Sequence, residues 1–266
     1  MQQYCASCAS GSNSVKSLLL ANGMMKGPLM SSNSPDAAGT ILIIGASRGI
    51  GHAMAAQFLG KGWHVIGTVR ADIRSDLHAL ADDHHGRVDV ETLDINEPEQ
   101  ISALRKRLAG RALDILFVNA GTTTHDEHVH IGRVSTEEFT RVMVTNALSP
   151  MRAIETLQGL VPADGLIGAM SSGQGSITNN EKGMREVYRG SKAALNMFMR
   201  SFAAREPKPG RAMVLMAPGW IRTALGGPDA PLTIEEAVPK VVDVLLSQRG
   251  KSGLRFLDRE GSTVPW

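Results

Sequence analysis

The chain has 266 residues, with 28 basic and 26 acidic side chains and a formal net charge of +2. A charge so balanced, with no long basic run, excludes the electrostatic footprint of a nucleic-acid binder. Hydrophobic residues make up 42%, ample for a core, yet no stretch approaches the roughly 18 apolar residues of a membrane span.

Residues 1–39 are rich in Ser, Asn, Gly and Met and contain both cysteines, Cys5 and Cys8. Their short apolar run, Leu18–Leu20, is too brief for the apolar region of a signal peptide. The segment reads as a flexible extension ahead of one domain over residues 40–266. A core without cysteines has no disulfide framework and fits a reducing, cytoplasmic compartment. The Cys5-x-x-Cys8 pair lacks a surrounding βαβ pattern and a second ligand pair, so no metal or redox role is assigned to it.

From Thr40 onward, short β-rich runs alternate with helical stretches. Strands are expected at Ile41–Ile44, His64–Val69, Val88–Leu93, Ile115–Val118, Leu166–Met170, Ala212–Met216 and Leu254–Leu257. Several are nearly continuous apolar runs, as strands covered on both faces require. Helices are expected at Ile50–Gly60, Pro98–Leu108, Thr136–Gln158, Glu186–Arg205 and Ile234–Ser247. This alternation predicts an α/β domain: one Rossmann-type, doubly wound parallel sheet of about seven strands flanked by helices. Ligands then sit beyond the strand carboxyl ends, at the switch point.

The first strand runs into Gly45-Ala-Ser47-Arg48-Gly49-Ile50-Gly51. Glycines permit the tight turn and bring backbone N–H groups close to a phosphate, and the following helix N-terminus adds favourable partial charge. After a strand and before a helix, the motif predicts a dinucleotide pyrophosphate site. Arg48 lies inside the turn and Arg70 follows the second strand, with no acid before Asp72. NAD-selective sites place a carboxylate there for the ribose 2′-hydroxyl; guanidiniums suit a 2′-phosphate instead. NADP(H) is therefore the expected cofactor.

Tyr188 and Lys192 lie four residues apart in VYRGSKAALNMF. On a helix that spacing puts phenol and ammonium on one face. A cation beside a phenol favours the phenolate. Lowering a tyrosine by about three pH units takes roughly 4 kcal/mol. One unit charge at about 4 Å in an effective dielectric near 20 supplies a similar amount.

These motifs, with Asn119-Ala120-Gly121 and Pro218-Gly219, occur in the order found in the short-chain dehydrogenase/reductase superfamily, which the chain resembles over residues 40–266. More narrowly, YRGSKAALN, PGWIRTALGGPDAPLTIEEA and FLDREGSTVPW resemble the branch of C-factor and sniffer-type carbonyl reductases. The resemblance implies that Asn119, Ala120 and Gly121 line the adenosine side and that Asp94 and Ile95 meet the adenine. It implies that Pro218, Gly219 and Thr223 lie along the nicotinamide half. It identifies Asn146 as the asparagine that holds a proton-relay water, Ser172 as the catalytic serine, Tyr188 as the proton donor, and Lys192 as the partner of the nicotinamide ribose. Ser171 and Ser176 stand close enough to Ser172 to compete for the serine role. Ile44 replaces the threonine that often precedes the first glycine, and the interval from Ser172 to Tyr188 is longer than usual for the family.

Elsewhere His125, His128 and His130 cluster with Asp126 and Glu127, without spacing that favours ligation, and read as an active-site rim rather than a metal site. Trp220, Met184 and Val187 are candidates for the pocket wall, and Ile221–Pro231 reads as a mobile loop over the substrate. The expected activity is reversible, NADPH-dependent reduction of a ketone or aldehyde. The alternatives are an NAD(P)H-binding signalling protein of C-factor type and an NAD-linked alcohol dehydrogenase. Expected partners are a small carbonyl or alcohol substrate and further copies of the chain, as homodimer or homotetramer; nucleic acid and membrane are not.

Overall fold

The computed structural model describes residues 38–70, 74–205 and 210–266. The proposed extension over residues 1–39 therefore lies almost wholly outside the described residues, as does Asp72. Seven strands, β1 (Thr40–Ile44), β2 (His64–Val69), β3 (Val88–Thr92), β4 (Ile115–Val118), β5 (Leu166–Met170), β6 (Ala212–Ala217) and β7 (Gly253–Asp258), form one sheet. The order is β3-β2-β1-β4-β5-β6-β7, and every pairing is parallel. The winding reverses between β1 and β4, where Ile41 pairs with Ile115 and Ile44 with Val118. A crevice opens at the carboxyl ends of these two strands.

Alternation along each strand divides the core between the two faces. Ile41 and Ile43 pack with Met54 and Phe58 of α1 (Gly49–Gly60), Leu77 of α2 (Asp76–Asp83) and Val241 and Leu245 of α7 (Ile234–Gln248). Leu42 and Ile44 face Ile101 and Leu104 of α3 (Pro98–Arg107), Ile154 and Leu157 of α5 (Ser149–Leu157), and Leu195 and Met199 of α6 (Glu186–Ala204). Gly67 of β2 is required by packing, because a Cβ there would stand 2.6 Å from Leu77 Cδ2.

The long helix expected over 136–158 is interrupted. It begins as α4 (Thr136–Met143), started by Ser135, whose side chain accepts from Glu138 N. It widens into a π turn over Val144–Leu148 and resumes as α5. Such π segments gather at functional sites, and this one contains the fully buried Asn146. The sequence reading missed α2, whose register is hard to see because it buries only Leu77.

Candidate active site

The glycine turn is shaped by two positive backbone angles, φ +88° at Gly45 and +58° at Gly49. Gly45 N donates to Thr68 Oγ1 at 2.9 Å, and its carbonyl accepts from Asn119 Nδ2 at 2.7 Å. Asn119 thereby links β4 to the turn, and the backbone N–H groups of Asn119 and Ala120 both reach Ile44 O. Gly51 is needed for space rather than for its angle: a Cβ there would lie 2.0 Å from Gly45 O and 2.6 Å from Asn119 Nδ2.

Beyond this turn lies a cleft of about 940 Å³ along the carboxyl edge of the sheet. Its wall takes in Gly45, Ser47, Arg48, Gly49, Ile50, Arg70, Asp94, Ile95, Asn119, Ala120, Gly121, Ser172, Tyr188, Pro218, Gly219 and Thr223, all singled out from sequence. Gly51, Asn146 and Lys192 stand behind the wall rather than on it. The cleft fits a dinucleotide by its chemistry. N–H-rich glycine backbone and the start of α1 offer a phosphate cradle, and Arg48 and Arg70 border it where a carboxylate would serve an unphosphorylated ribose.

At the far end Ser172 follows β5. Its hydroxyl oxygen accepts from Gln174 N at 3.1 Å and leaves its proton free to be donated. Ser171 and Ser176 are used elsewhere: Ser171 Oγ donates to Asn196 Oδ1 at 2.6 Å, and Ser176 Oγ donates to Trp266 O at 3.3 Å. Among the three candidate serines, Ser172 is the one whose hydroxyl pulls the Tyr188 phenol down. Burial pushes the Tyr188 phenol above its ordinary 10.0; the Ser172 hydroxyl and the Arg185 charge pull it back, and Glu127 pushes it up again.

Lys192 differs from the expected pairing. Its ammonium donates to Met170 O at 2.9 Å and stands 5.9 Å from the Tyr188 ring centre. Burial raises the phenol, where a lowered one was expected from Lys192 together with the charge of an oxidised nicotinamide. The same burial pulls Lys192 down to about 8. Asn146 is held through its carboxamide. Its Oδ1 accepts from Thr122 N, and its Nδ2 donates to Thr122 O and Ser191 Oγ, all within 2.8–2.9 Å. The carboxamide thus fixes the start of the loop after β4. A Cβ at Gly121 would stand 3.4 Å from both Asn146 Oδ1 and Lys192 Nζ, which brings these three positions together.

The sequence reading missed Arg185, Arg141, Thr123 and Gln174, all on the cleft wall. Arg141 is held by Glu138 and donates to Thr122 Oγ1 and Thr123 O. Glu138 is drawn down to about 2 by that guanidinium. Arg185 precedes Tyr188 by three residues, but it stands outside α6 in a left-handed conformation, so helical spacing gave no pointer to it. The histidines of the rim take carboxylate partners: His125 meets Glu138 and His130 meets Glu186. Trp220 lines the cleft and is tied by Nε1 to Gly226 O at 2.6 Å. Met184 is exposed and Val187 buried, and neither is on the wall. The loop read as mobile is bracketed by an Ile221–Leu232 bridge and by Arg222 N donating to Leu232 O at 2.9 Å. Inside it Gly227 N reaches Thr223 O, and Gly226 N reaches Thr223 Oγ1.

A parallel sheet wound outward from a glycine turn, with a phenol, a hydroxyl and an ammonium at the far end of one cleft, defines a dinucleotide-dependent oxidoreductase class. The chain belongs to the short chain dehydrogenase family, whose model matches residues 39–231. It is 66% identical to a short-chain dehydrogenase/reductase from Burkholderia multivorans solved with bound NADP, with a TM-score of 0.85 over 87% of this chain and 100% of that one. It is 33% identical to a carbonyl reductase from Pseudomonas aeruginosa solved in complex with NADP, with a TM-score of 0.79 over 86% of this chain and 99% of that one. It is 33% identical to C-signal of Myxococcus xanthus over 58% of this chain and 93% of that protein. The last two agree with the carbonyl reductase and C-factor branch read from the sequence. No helix among the described residues is long and apolar enough to cross a membrane.

Proposed function

We propose that the protein reduces a ketone or aldehyde to an alcohol, reversibly, with NADP(H) as cofactor and Tyr188 as the proton donor. The observation that carries this reading is the placement of Ser172 and the buried Tyr188 phenol on the wall of the same cleft as the glycine turn. The bound cofactor supplies a hydride. The remaining work falls to the chain. Ser172 donates a hydrogen bond to the carbonyl oxygen and stabilises the charge that develops there. Tyr188 passes its phenolic proton to the same oxygen. Lys192, buried behind them, supplies the positive field and a donor for ribose hydroxyls. Asn146 positions Thr122 and Ser191. Arg48 and Arg70 hold a 2′-phosphate, and the likeness to two proteins solved with NADP supports that choice.

The exposed Phe139, Leu148, Met197 and Phe198 on α4, α6 and the π turn support a homo-oligomer joined through these helices.

The test is NADPH oxidation across ketones, aldehydes and diones, with NADH and Tyr188→Phe controls. Turnover with NADPH that the variant loses is expected. NADPH binding with no turnover on any substrate class removes the reductase reading. A second reading, a dinucleotide-binding signalling protein, is favoured by the likeness to C-signal. It predicts that Tyr188→Phe retains the biological effect.

A further inference from the structure

We infer that Arg185 and Glu127 act as an opposed pair that sets the proton affinity of Tyr188, Arg185 favouring the phenolate and Glu127 the phenol. The inference rests on the reading of Tyr188 as proton donor and adds two positioning residues to it.

The geometry begins with the backbone. Gly183, Met184 and Arg185 have φ of 63°, 52° and 54°, three left-handed residues in succession. Met184 and Arg185 are the non-glycine residues with positive φ among those described. This turn delivers the Arg185 side chain back over the first turn of α6, with its guanidinium carbon 4.9 Å from the Tyr188 ring centre. That is closer than the Lys192 ammonium at 5.9 Å, so Arg185 is the nearer cation. A cation over the ring face is attracted by the electron-rich π system, and more strongly once the ring carries negative charge.

Glu127 holds the guanidinium in place. Arg185 Nη2 donates to Glu127 Oε1 and to Thr123 Oγ1, and Arg185 N donates to Glu127 O at 3.3 Å. The Arg185 side chain is 15% exposed and that of Glu127 35%, so their fields reach the ring through little water. Arg185 Nε is buried without a hydrogen-bond partner, which leaves Glu127 as the main constraint on the head group.

The other charges near the ring are directed elsewhere. On α6, Glu186 turns to His130 and Ile131 N, and Arg189 Nε donates to Met184 O. Lys192 donates to Met170 O. From the loop after β4, Asp126 caps His128 N and His125 pairs with Glu138, which also binds Arg141 of α4. From the end of β5 comes the neutral Ser172. The Arg185–Glu127 pair is thus the charged pair committed to this face of the ring. Burial raises the phenol, Arg185 lowers it and Glu127 raises it, the same signs as the geometry.

The composition allows a direct test. The chain has two tyrosines, Tyr4 and Tyr188, so in a Tyr4→Phe background every tyrosinate signal belongs to Tyr188. Near-ultraviolet tyrosinate absorbance is titrated with saturating oxidised NADP, in that background and with Arg185→Met, Arg185→Lys or Glu127→Gln added. Arg185→Met should raise the midpoint by about one pH unit and Glu127→Gln should lower it by about half a unit. Arg185→Lys, which keeps the charge, should stay near the parent. Arg185→Met and Glu127→Gln moving the midpoint in the same direction, or leaving it in place, would overturn the inference. Turnover is measured separately on the parent protein. A parent that reduces no carbonyl refutes the proposed reaction, while the titration still decides the pair.

Discussion

Lys192 Nζ donates to Met170 O at 2.9 Å and so ties α6 to the last residue of β5. Lys192 is 3% exposed, and its burial draws it to about 8. In the unfolded chain the same amine titrates at its ordinary 10.5. The unfolded state therefore holds the extra proton between about pH 8 and 10.5, and within that window stability must rise with pH. The gap corresponds to roughly 3 kcal/mol at most. Urea unfolding at about pH 7 and about pH 10 should show this gain in the parent and not in Lys192→Met. Equal pH profiles for the two proteins would assign the burial no energetic consequence.

Neighbouring serines should separate by phenotype. Ser172→Ala removes the donor to the substrate oxygen and should lower kcat by about 10²–10³ with little change in unfolding midpoint. Ser171→Ala leaves Asn196 Oδ1 without its 2.6 Å donor. It should cost about 1–3 kcal/mol of stability and spare kcat. Steady-state kinetics and denaturant melts on both variants make the comparison.

Cofactor preference should follow Arg70. On the proposed reading, Arg70→Asp would take away a charge-assisted bond to a 2′-phosphate and set a carboxylate where a ribose hydroxyl can meet it. The ratio of kcat/KM for NADPH over NADH should fall by about 10- to 100-fold. A ratio that stays put leaves Arg48 as the discriminating group.

Gly51→Ala tests the close approach under the glycine turn. The new Cβ would meet Gly45 O at 2.0 Å, so the turn must shift. NADPH affinity, followed by its fluorescence, should collapse, and stability should drop by about 1–3 kcal/mol. Gly132, where an added Cβ meets nothing within 4 Å, is the matched control.

The sheet was legible because its inner strands bury both faces. Runs such as Ile41–Ile44 and Ile115–Val118 leave no other arrangement, and their bounds agree with the structure to within a residue. The glycine turn was legible from its position between such a strand and a helix. What sequence could not show were relationships set by tertiary placement. Tyr188 and Lys192 share a helix face as spacing requires, but Met170 O captures the ammonium. Asn146 lies in a π turn, and its partner Thr122 is brought there by β4. Arg185 reaches the ring through a left-handed backbone that Met184 and Arg185 do not favour locally, at a cost of about 1–3 kcal/mol per residue. No propensity argument would have placed it there.

The segment between β6 and α7 is closed on itself by the Ile221–Leu232 bridge and the Arg222–Leu232 bond, with Thr223 organising its interior. A stretch whose two ends are stapled together can be rewritten between the staples without disturbing the sheet that carries the chemistry. Trp220 and Leu225, half or more than a third exposed, stand at its cleft-facing edge. That edge of the cleft can therefore be recut while the glycine turn and the strand ends that build the rest of the wall stay in place.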